Sequence, residues 1–289
     1  MISIIICSKN PAYLNALTQN ISETIGISYE LLAFDNRLSK KGIAAVYNSQ
    51  AAKARYETLC FVHEDIVIHT VGWGMILKNL LANKSVGLVG ISGAVFKSKY
   101  PGIWSSCETN LYRTNSIQHF KNSIEPVITN INPENATHEN VVVIDGVFMA
   151  TRKNIFLNNK FDEILLKGFH GYDIDYSIQI GQQYKVLVSF EILIEHLSEG
   201  ILSPVWLKDS IHVHKKWSKA LPLQSNLLAA EQIHLNDYLA MQNLMSVALK
   251  YKGNKKIVLL NYLKLIFLFR KYNRFKFSKS VCKYLIDCA

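Results

Sequence analysis

The chain has 289 residues, 49% hydrophobic and 19% charged, which is enough apolar mass to bury a sizeable core. That composition excludes a disordered chain, a collagen-like repeat and a long coiled coil. The formal charge of +10 sits at one end: residues 251–289 hold ten bases and one acid, and the first 250 residues are close to neutral. A near-neutral body argues against a nucleic-acid partner, which requires a basic face on the folded domain.

In chain order, residues 3–8 form a β-branched run that stops at Lys9-Asn10-Pro11, the pattern of a buried strand and its turn. Leu14, Leu17 and Ile21 then recur at helical spacing within 13–25. Residues 29–34 form a second apolar run ending at Asp35-Asn36, and 42–54 is Ala-rich and helix-prone. A third run, 58–62, ends at His63-Glu64-Asp65. This strand–helix alternation predicts an α/β fold with a mostly parallel central sheet flanked by helices. Each run ends in polar or acidic residues, and the C-terminal edge of such a sheet is where ligands bind. Further on, 86–91, 141–144 and 186–194 read as strands and 173–180 as a helix. The Asn-, Ser- and Thr-rich stretch 96–138 is expected to contain loops, and 227–249 and 255–287 read as helices. The pattern divides the chain into an α/β domain over 1–222 and a basic helical extension over 223–289.

The N-terminal apolar run lacks a preceding basic region and is too short for a secretory signal, and no stretch reaches the ~18–20 apolar residues of a membrane span. The five cysteines are odd in number, without CxxC spacing, and Cys7 and Cys60 lie in apolar runs. These features predict a reduced, cytoplasmic setting.

Three constellations carry chemistry. His63-Glu64-Asp65 follows a buried strand: carboxylates there suit Mg²⁺ or Mn²⁺, or they cap the next turn. Gly168-Phe169-His170-Gly171-Tyr172-Asp173-Ile174-Asp175 places two acids at a helix start. An acid there is either an N-cap or, on a glycine-flanked loop, a general base. His196, with Ser198 and Gly200 close behind, ends the last strand, as a metal or phosphate ligand or as a partly buried residue with one hydrogen bond. His212-x-His214 has no Cys or acid close by to complete a zinc site. The phosphate-loop, dinucleotide and nucleophile-elbow motifs are missing, which leaves kinase, Rossmann dehydrogenase and α/β-hydrolase readings without support.

Taken in order, the motifs resemble the family-2, GT-A-fold nucleotide-sugar glycosyltransferases, in a bacterial form with His-x-Asp for Asp-x-Asp. The resemblance rests on Cys7-Ser8-Lys9-Asn10 after the first strand, Asp35-Asn36 after the second, and Gly42-Ile43-Ala44-Ala45-Val46-Tyr47-Asn48. It continues through Phe61-Val62-His63-Glu64-Asp65, Gly72-Trp73 with Gly87-Leu88-Val89-Gly90, Asp145-Gly146-Val147-Phe148-Met149-Ala150, and Phe161-Asp162-Glu163 with Gly171-Tyr172-Asp173. Tyr47 and His63 depart from the family's Arg and first Asp.

The resemblance implies inverting transfer of a sugar from a nucleoside-diphosphate sugar to a glycan or lipid-linked acceptor, in bacterial surface glycan assembly. It implies Asp173 as catalytic base, and Asp65 with His196 as ligands of Mn²⁺ or Mg²⁺. Ser8, Asp35, Asn36, Asn48, His63 and Glu64 would surround the nucleotide sugar. Trp73, Gly146, Met149 and Tyr172 would line the acceptor side, and Trp73 and Trp104 either stack on sugars or pack in the core. Asp175 is expected to cap its helix. The run Arg270-Lys271-Tyr272-Asn273-Arg274-Phe275-Lys276-Phe277 alternates bases with aromatics. It suits peripheral contact of 251–289 with an anionic membrane, or a helical pair packed on protein. The competing readings are an inactive nucleotide-sugar-binding protein and a basic-tailed nucleic-acid-binding protein.

Overall fold

The structure, a computed structural model, describes residues 1–251, 253–272 and 276–287. Lys252, Cys288 and the central Asn273, Arg274 and Phe275 of the base–aromatic run lie outside the described residues.

β1 (Ile2–Ser8) runs into α1 (Pro11–Thr24), where the Asn10 side chain accepts from the Ala12 N–H and Pro11 takes the first helical position. β2 (Tyr29–Asp35), α2 (Ile43–Ala51) and β3 (Thr58–Val62) follow as the pattern predicts. Next come β4 (Ile66–Ile68), α3 (Trp73–Ala82), β5 (Val86–Gly90), β6 (Ser92–Ala94) and β7 (Phe96–Lys97). β8 (Tyr112–Gln118), β9 (Val127–Ile131), β10 (His138–Val141), β11 (Val143–Ile144) and β12 (Phe148–Arg152) fill the middle of the chain. α4 (Lys153–Asn158), α5 (Tyr172–Gly181), β13 (Lys185–Ser189), β14 (Ile194–His196) and α6 (Pro204–Lys216) complete the part that carries the site. β15 (Leu223–Gln224), α7 (Ala230–Ala248), α8 (Lys255–Leu268) and α9 (Ser278–Asp287) form the C-terminal portion.

The central sheet has the order β10-β13-β5-β12-β3-β1-β2. β13, β5, β3, β1 and β2 run one way, and β12 and β10 run against them. Strand residues alternate between two helical layers, as a period of two requires. Ile5, Leu59, Phe61, Leu88 and Met149 pack toward α2, α4 and α5. Ile4, Ile6, Cys60, Val62, Val89 and Phe148 pack toward α1 and α3. Helices on both faces leave the strand ends as the open edge of the sheet.

A second sheet, β11-β6-β8-β14-β4 with β9 beside β8, stands across that edge. It refines one expectation and overturns another. Residues 96–138 hold β8 and β9 as well as the expected loops. β8 has no apolar run to reveal it: its buried Arg113 donates to Glu139 at 2.5 Å, and Thr114 pairs with the Ser92 hydroxyl at 2.5 Å. Such polar strands are stabilised by partners distant in sequence. The single strand expected over 186–194 is also divided, with β13 in the central sheet and β14 in the second.

The C-terminal portion is fastened to the first part. β15 pairs with β7, and α7 grips both ends of the 98–108 loop. Ser98 donates to the buried Asp237 at 2.6 Å, and the Glu108 N–H donates to the buried Asn236 at 2.7 Å. Trp206 and Leu207 of α6 share a core with α7, α8 and α9. Among the described residues no helix is long and apolar enough to cross a membrane.

Candidate active site

The ends of β1, β2 and β3 converge because the three strands are parallel and in register, with Ser8 beside Asp35. The Ser8 hydroxyl donates to Glu64 at 2.6 Å, and the backbone N–H groups of Lys9 and Asn10 also donate to Glu64. Glu64 thereby latches the first turn to the third strand. Asp35 is exposed and paired with Arg37 at 2.6 Å. The buried Asn36 accepts from the Lys41 N–H and donates to the Lys41 carbonyl, closing the loop after β2. Asn48 is spent elsewhere: its amide holds both the N–H and the carbonyl of Phe161, which pins the Phe161-Asp162-Glu163 turn against α2.

Two of the expected acceptor-side residues are misplaced. Trp73 and Met149 have no exposed surface. The Trp73 indole donates to Thr24 at 3.1 Å and its ring packs on Phe148, while Met149 faces the opposite core. Neither can touch an acceptor. Trp104 does line the cleft, and its indole N–H donates to Asp145 at 2.6 Å.

His63, Asp65 and His196 do come together, with potential ligand atoms all within 4.8 Å of one another. Asp65 lies 4.0 Å from His63 Nδ1 and 3.5 Å from His196 Nε2. The surrounding hydrogen bonds leave the right nitrogens bare. The Tyr172 hydroxyl donates to the Gly146 carbonyl at 3.2 Å, so it accepts from His63 Nε2–H at 2.7 Å, and Nδ1 keeps its lone pair. The Gln118 amide nitrogen donates to the Ser198 carbonyl, which turns its oxygen toward His196 Nδ1 at 3.0 Å and frees Nε2. Second partners of this kind orient metal-binding imidazoles. Burial pushes the Asp65 carboxyl up, but the neighbouring His196 and the hydrogen bond from the Ser198 hydroxyl outweigh it and hold the group ionised. Burial and the neighbouring His196 keep His63 below the usual histidine range, hence neutral. One carboxylate and two bare imidazole nitrogens fit a divalent cation such as Mn²⁺.

Asp173 opens α5 after Gly171, whose φ of 76° is a left-handed value that a side chain strains to adopt. A Cβ at Gly146 would collide with the Tyr172 hydroxyl, so only glycine allows the contact that orients His63. Burial, followed by the charge of Asp145, pushes the Asp173 carboxyl up to about 7. Asp175 is not a cap. It is buried and accepts from the Trp217 indole at 2.7 Å and from Lys216 at 2.8 Å, which fastens the end of α6 to α5. His212 and His214 face different sides of α6, and only His214 borders the cleft.

The cleft has a volume of about 570 Å³. Its wall combines His63, His196, Asp145 and Asp173 with the aromatic rings of Trp104 and Tyr112. Asp145 stands in the motif Asp145–Ala150, yet only Gly146 beside it carries an expected role. The only signal was its place at the end of an apolar run.

Two solved structures have similar architecture. GalNAc-T7 with UDP, GalNAc and Mn²⁺ matches with a TM-score of 0.54 and 13% identity, over 89% of this chain and 53% of that one. The mannosyltransferase PcManGT from Pyrobaculum calidifontis, in complex with GDP-Man and Mn²⁺, matches with a TM-score of 0.50 and 12% identity, over 100% of this chain and 88% of that one. The chain spans about half the length of GalNAc-T7. At these identities the likeness is one of fold, and the fold is GT-A. The sequence matches the family described as "Glycosyltransferase like family" over residues 3–218, and the chain belongs to that family. No curated protein matches the chain in sequence.

Proposed function

We propose that the protein moves a sugar from a nucleoside-diphosphate sugar to an acceptor hydroxyl with inversion, and that Asp173 is the general base. The observation that carries this reading is the Asp173 carboxyl, which borders the cleft with its pKa pushed up to about 7, near the pH at which a base works best. The acceptor O–H proton passes to the Asp173 carboxylate as the acceptor oxygen bonds to the anomeric carbon. The bond from that carbon to the diphosphate oxygen breaks, and its electron pair leaves with the nucleoside diphosphate. A divalent ion held by His63, Asp65 and His196 would supply positive charge to the leaving group. Asp35, the exposed residue of the edge that Ser8 and Asn36 shape from beneath, orients the nucleotide, and Trp104 and Tyr112 offer flat faces to sugar C–H groups.

Thermal shift with UDP-, GDP- and CDP-sugars plus Mn²⁺ tests the donor. A ligand at 100 times its Kd stabilises by ~2.7 kcal/mol, which is roughly 5 °C for a chain of this size. One nucleotide is expected to give such a shift. No shift with any of them overturns the reading, and a shift without turnover favours the inactive binding protein.

We further propose that the enzyme works at the cytoplasmic face of a membrane, in glycan assembly, through α8. That helix exposes Leu259, Leu260, Leu263, Phe267 and Leu268 on a face shared with Lys255, Lys256 and Lys264. Apolar residues flanked by lysines match the interface of an anionic bilayer. The protein should float with acidic vesicles, and Leu263→Glu with Phe267→Glu should abolish flotation. Equal binding to neutral vesicles would overturn the electrostatic part.

A further inference from the structure

We propose that α6 carries the acceptor subsite, and that the acceptor group seated there is a hydroxyl-bearing sugar ring; this rests on the glycosyl-transfer reading above.

Trp206, Ser210, Val213 and His214 recur at helical spacing and form the side of α6 that borders the cleft. Ser210 and His214 are 4% and 5% exposed. His214 Nδ1 donates to the Ser210 carbonyl at 2.8 Å, so Nε2 is a bare acceptor. Burial, then the neighbouring Lys97, holds the ring well below the usual histidine range, and it stays neutral. Among the described residues neither His214 Nε2 nor the Ser210 hydroxyl has a hydrogen-bond partner. Buried polar groups almost always have one. Two orphans one turn apart, beside a cleft, point to a ligand that supplies the missing partners.

The chemistry narrows the ligand. His214 Nε2 accepts only, so the ligand must donate, and an ionised phosphate or carboxylate has no hydrogen to give. Lys97, which donates to the Gly102 carbonyl at 2.7 Å, places a cation nearby and disfavours an ammonium ligand. Hydroxyls remain, and the rings of Trp206, Trp104 and Tyr112 on the same cleft suit a pyranose.

The position favours the acceptor over the donor. Asp145 lies close enough to influence both His63 of the metal triad and Asp173. Lys97 lies close enough to feel Asp173 and to influence His214. The base therefore stands between the metal end, where the diphosphate leaves, and the α6 end, where the attacking sugar enters. Gly171, two residues before Asp173, lies so close to α6 that an added Cβ would meet Val213 at 3.2 Å.

The test uses the full chain, the donor identified by thermal shift, and p-nitrophenyl glycosides of gluco, galacto and manno configuration as acceptors. His214→Leu and Ser210→Ala should each raise the KM for the preferred glycoside roughly five- to tenfold. The donor KM should stay within twofold, and His214→Gln, which restores an acceptor atom, should recover part of the loss. If His214→Leu does not fold, Ser210→Ala carries the same test. An unchanged acceptor KM, a donor KM that rises in parallel, or wild-type preference for a polyprenyl phosphate over every glycoside overturns the subsite. Wild-type protein that neither transfers nor hydrolyses any nucleotide sugar overturns the glycosyl-transfer reading itself.

Discussion

Asp173→Asn should lower sugar transfer by ~10³-fold, within the range supplied by a positioned base, while nucleotide binding survives. Asn keeps the shape of the side chain and removes the proton acceptor. In the wild type the active form is the carboxylate, so kcat/KM should fall about tenfold per pH unit below the carboxyl's value of about 7. The same shift sets a stability effect of opposite sense. The carboxyl is raised from 3.8 to about 7 in the fold, so its charged form is disfavoured there. Below pH 3.8 both states are protonated and nothing is lost; stability is then given up as the pH rises to about 7 and stays lost above it. Asn escapes this cost. At pH 8 the variant should be more stable than the wild type by about 2 kcal/mol, less than the full shift allows because the carboxyl borders an open cleft. At pH 3.5 the gain should vanish. Unchanged turnover in the variant removes Asp173 from the mechanism. Unchanged melting at both pH values shows that the carboxyl is not buried against its charge.

Asp65→Asn should abolish Mn²⁺ binding and transfer together. Asn keeps the volume and can still meet Ser198, which donates to Asp65 at 2.5 Å, but it offers no negative charge. Two imidazoles with ring centroids 5.8 Å apart then remain, and without the carboxylate they hold a hard divalent ion weakly. Calorimetric titration should show Mn²⁺ affinity falling by at least ~100-fold, and the Mn²⁺-dependent thermal shift with the nucleotide should disappear. In the wild type, EDTA should stop transfer and Mn²⁺ should restore it better than Mg²⁺, since Mg²⁺ favours oxygen donors over imidazole. Full activity in EDTA, or in Asp65→Asn, rules out a metal role for this triad.

The C-terminal portion bears on the site more closely than its composition implies. Charge alone sets 251–289 apart as a basic appendage. In the fold, Asn236 and Asp237 of α7 hold the two ends of the loop that carries Trp104. The boundary expected at residue 222 is therefore bridged by contacts that shape the cleft.

What was legible in the sequence was local. β1, β2, β3 and α2 announce themselves by apolar runs and Ala-rich spacing. The residues at their ends fall at the ligand edge because parallel strands bring those ends together. α6 is marked in the sequence by Ser203-Pro204 at its start: the Ser203 hydroxyl caps the Trp206 N–H and Pro204 takes the first helical position. Trp73 and Trp104 are the same residue type in similar surroundings. The sequence could not tell that the first fills the core beneath α3 and the second hydrogen-bonds Asp145 over the cleft.

By itself the sequence determined the α/β class, the acidic ends of the second and third strands, and the separation of charge between body and tail. Each follows from hydrophobic period and residue type within about ten positions of chain. Only the tertiary structure decided which of those polar groups meet. It brought His196 to Asp65 across 131 residues by splitting one apolar run between two sheets. It set Asp145 against Asp173, which raises the carboxyl. It also set the Ser210 hydroxyl and His214 Nε2 beside the cleft with no hydrogen-bond partner among the described residues. The reason is physical: burial and pairing are properties of the space around a side chain, and that space is built from residues far apart in the chain.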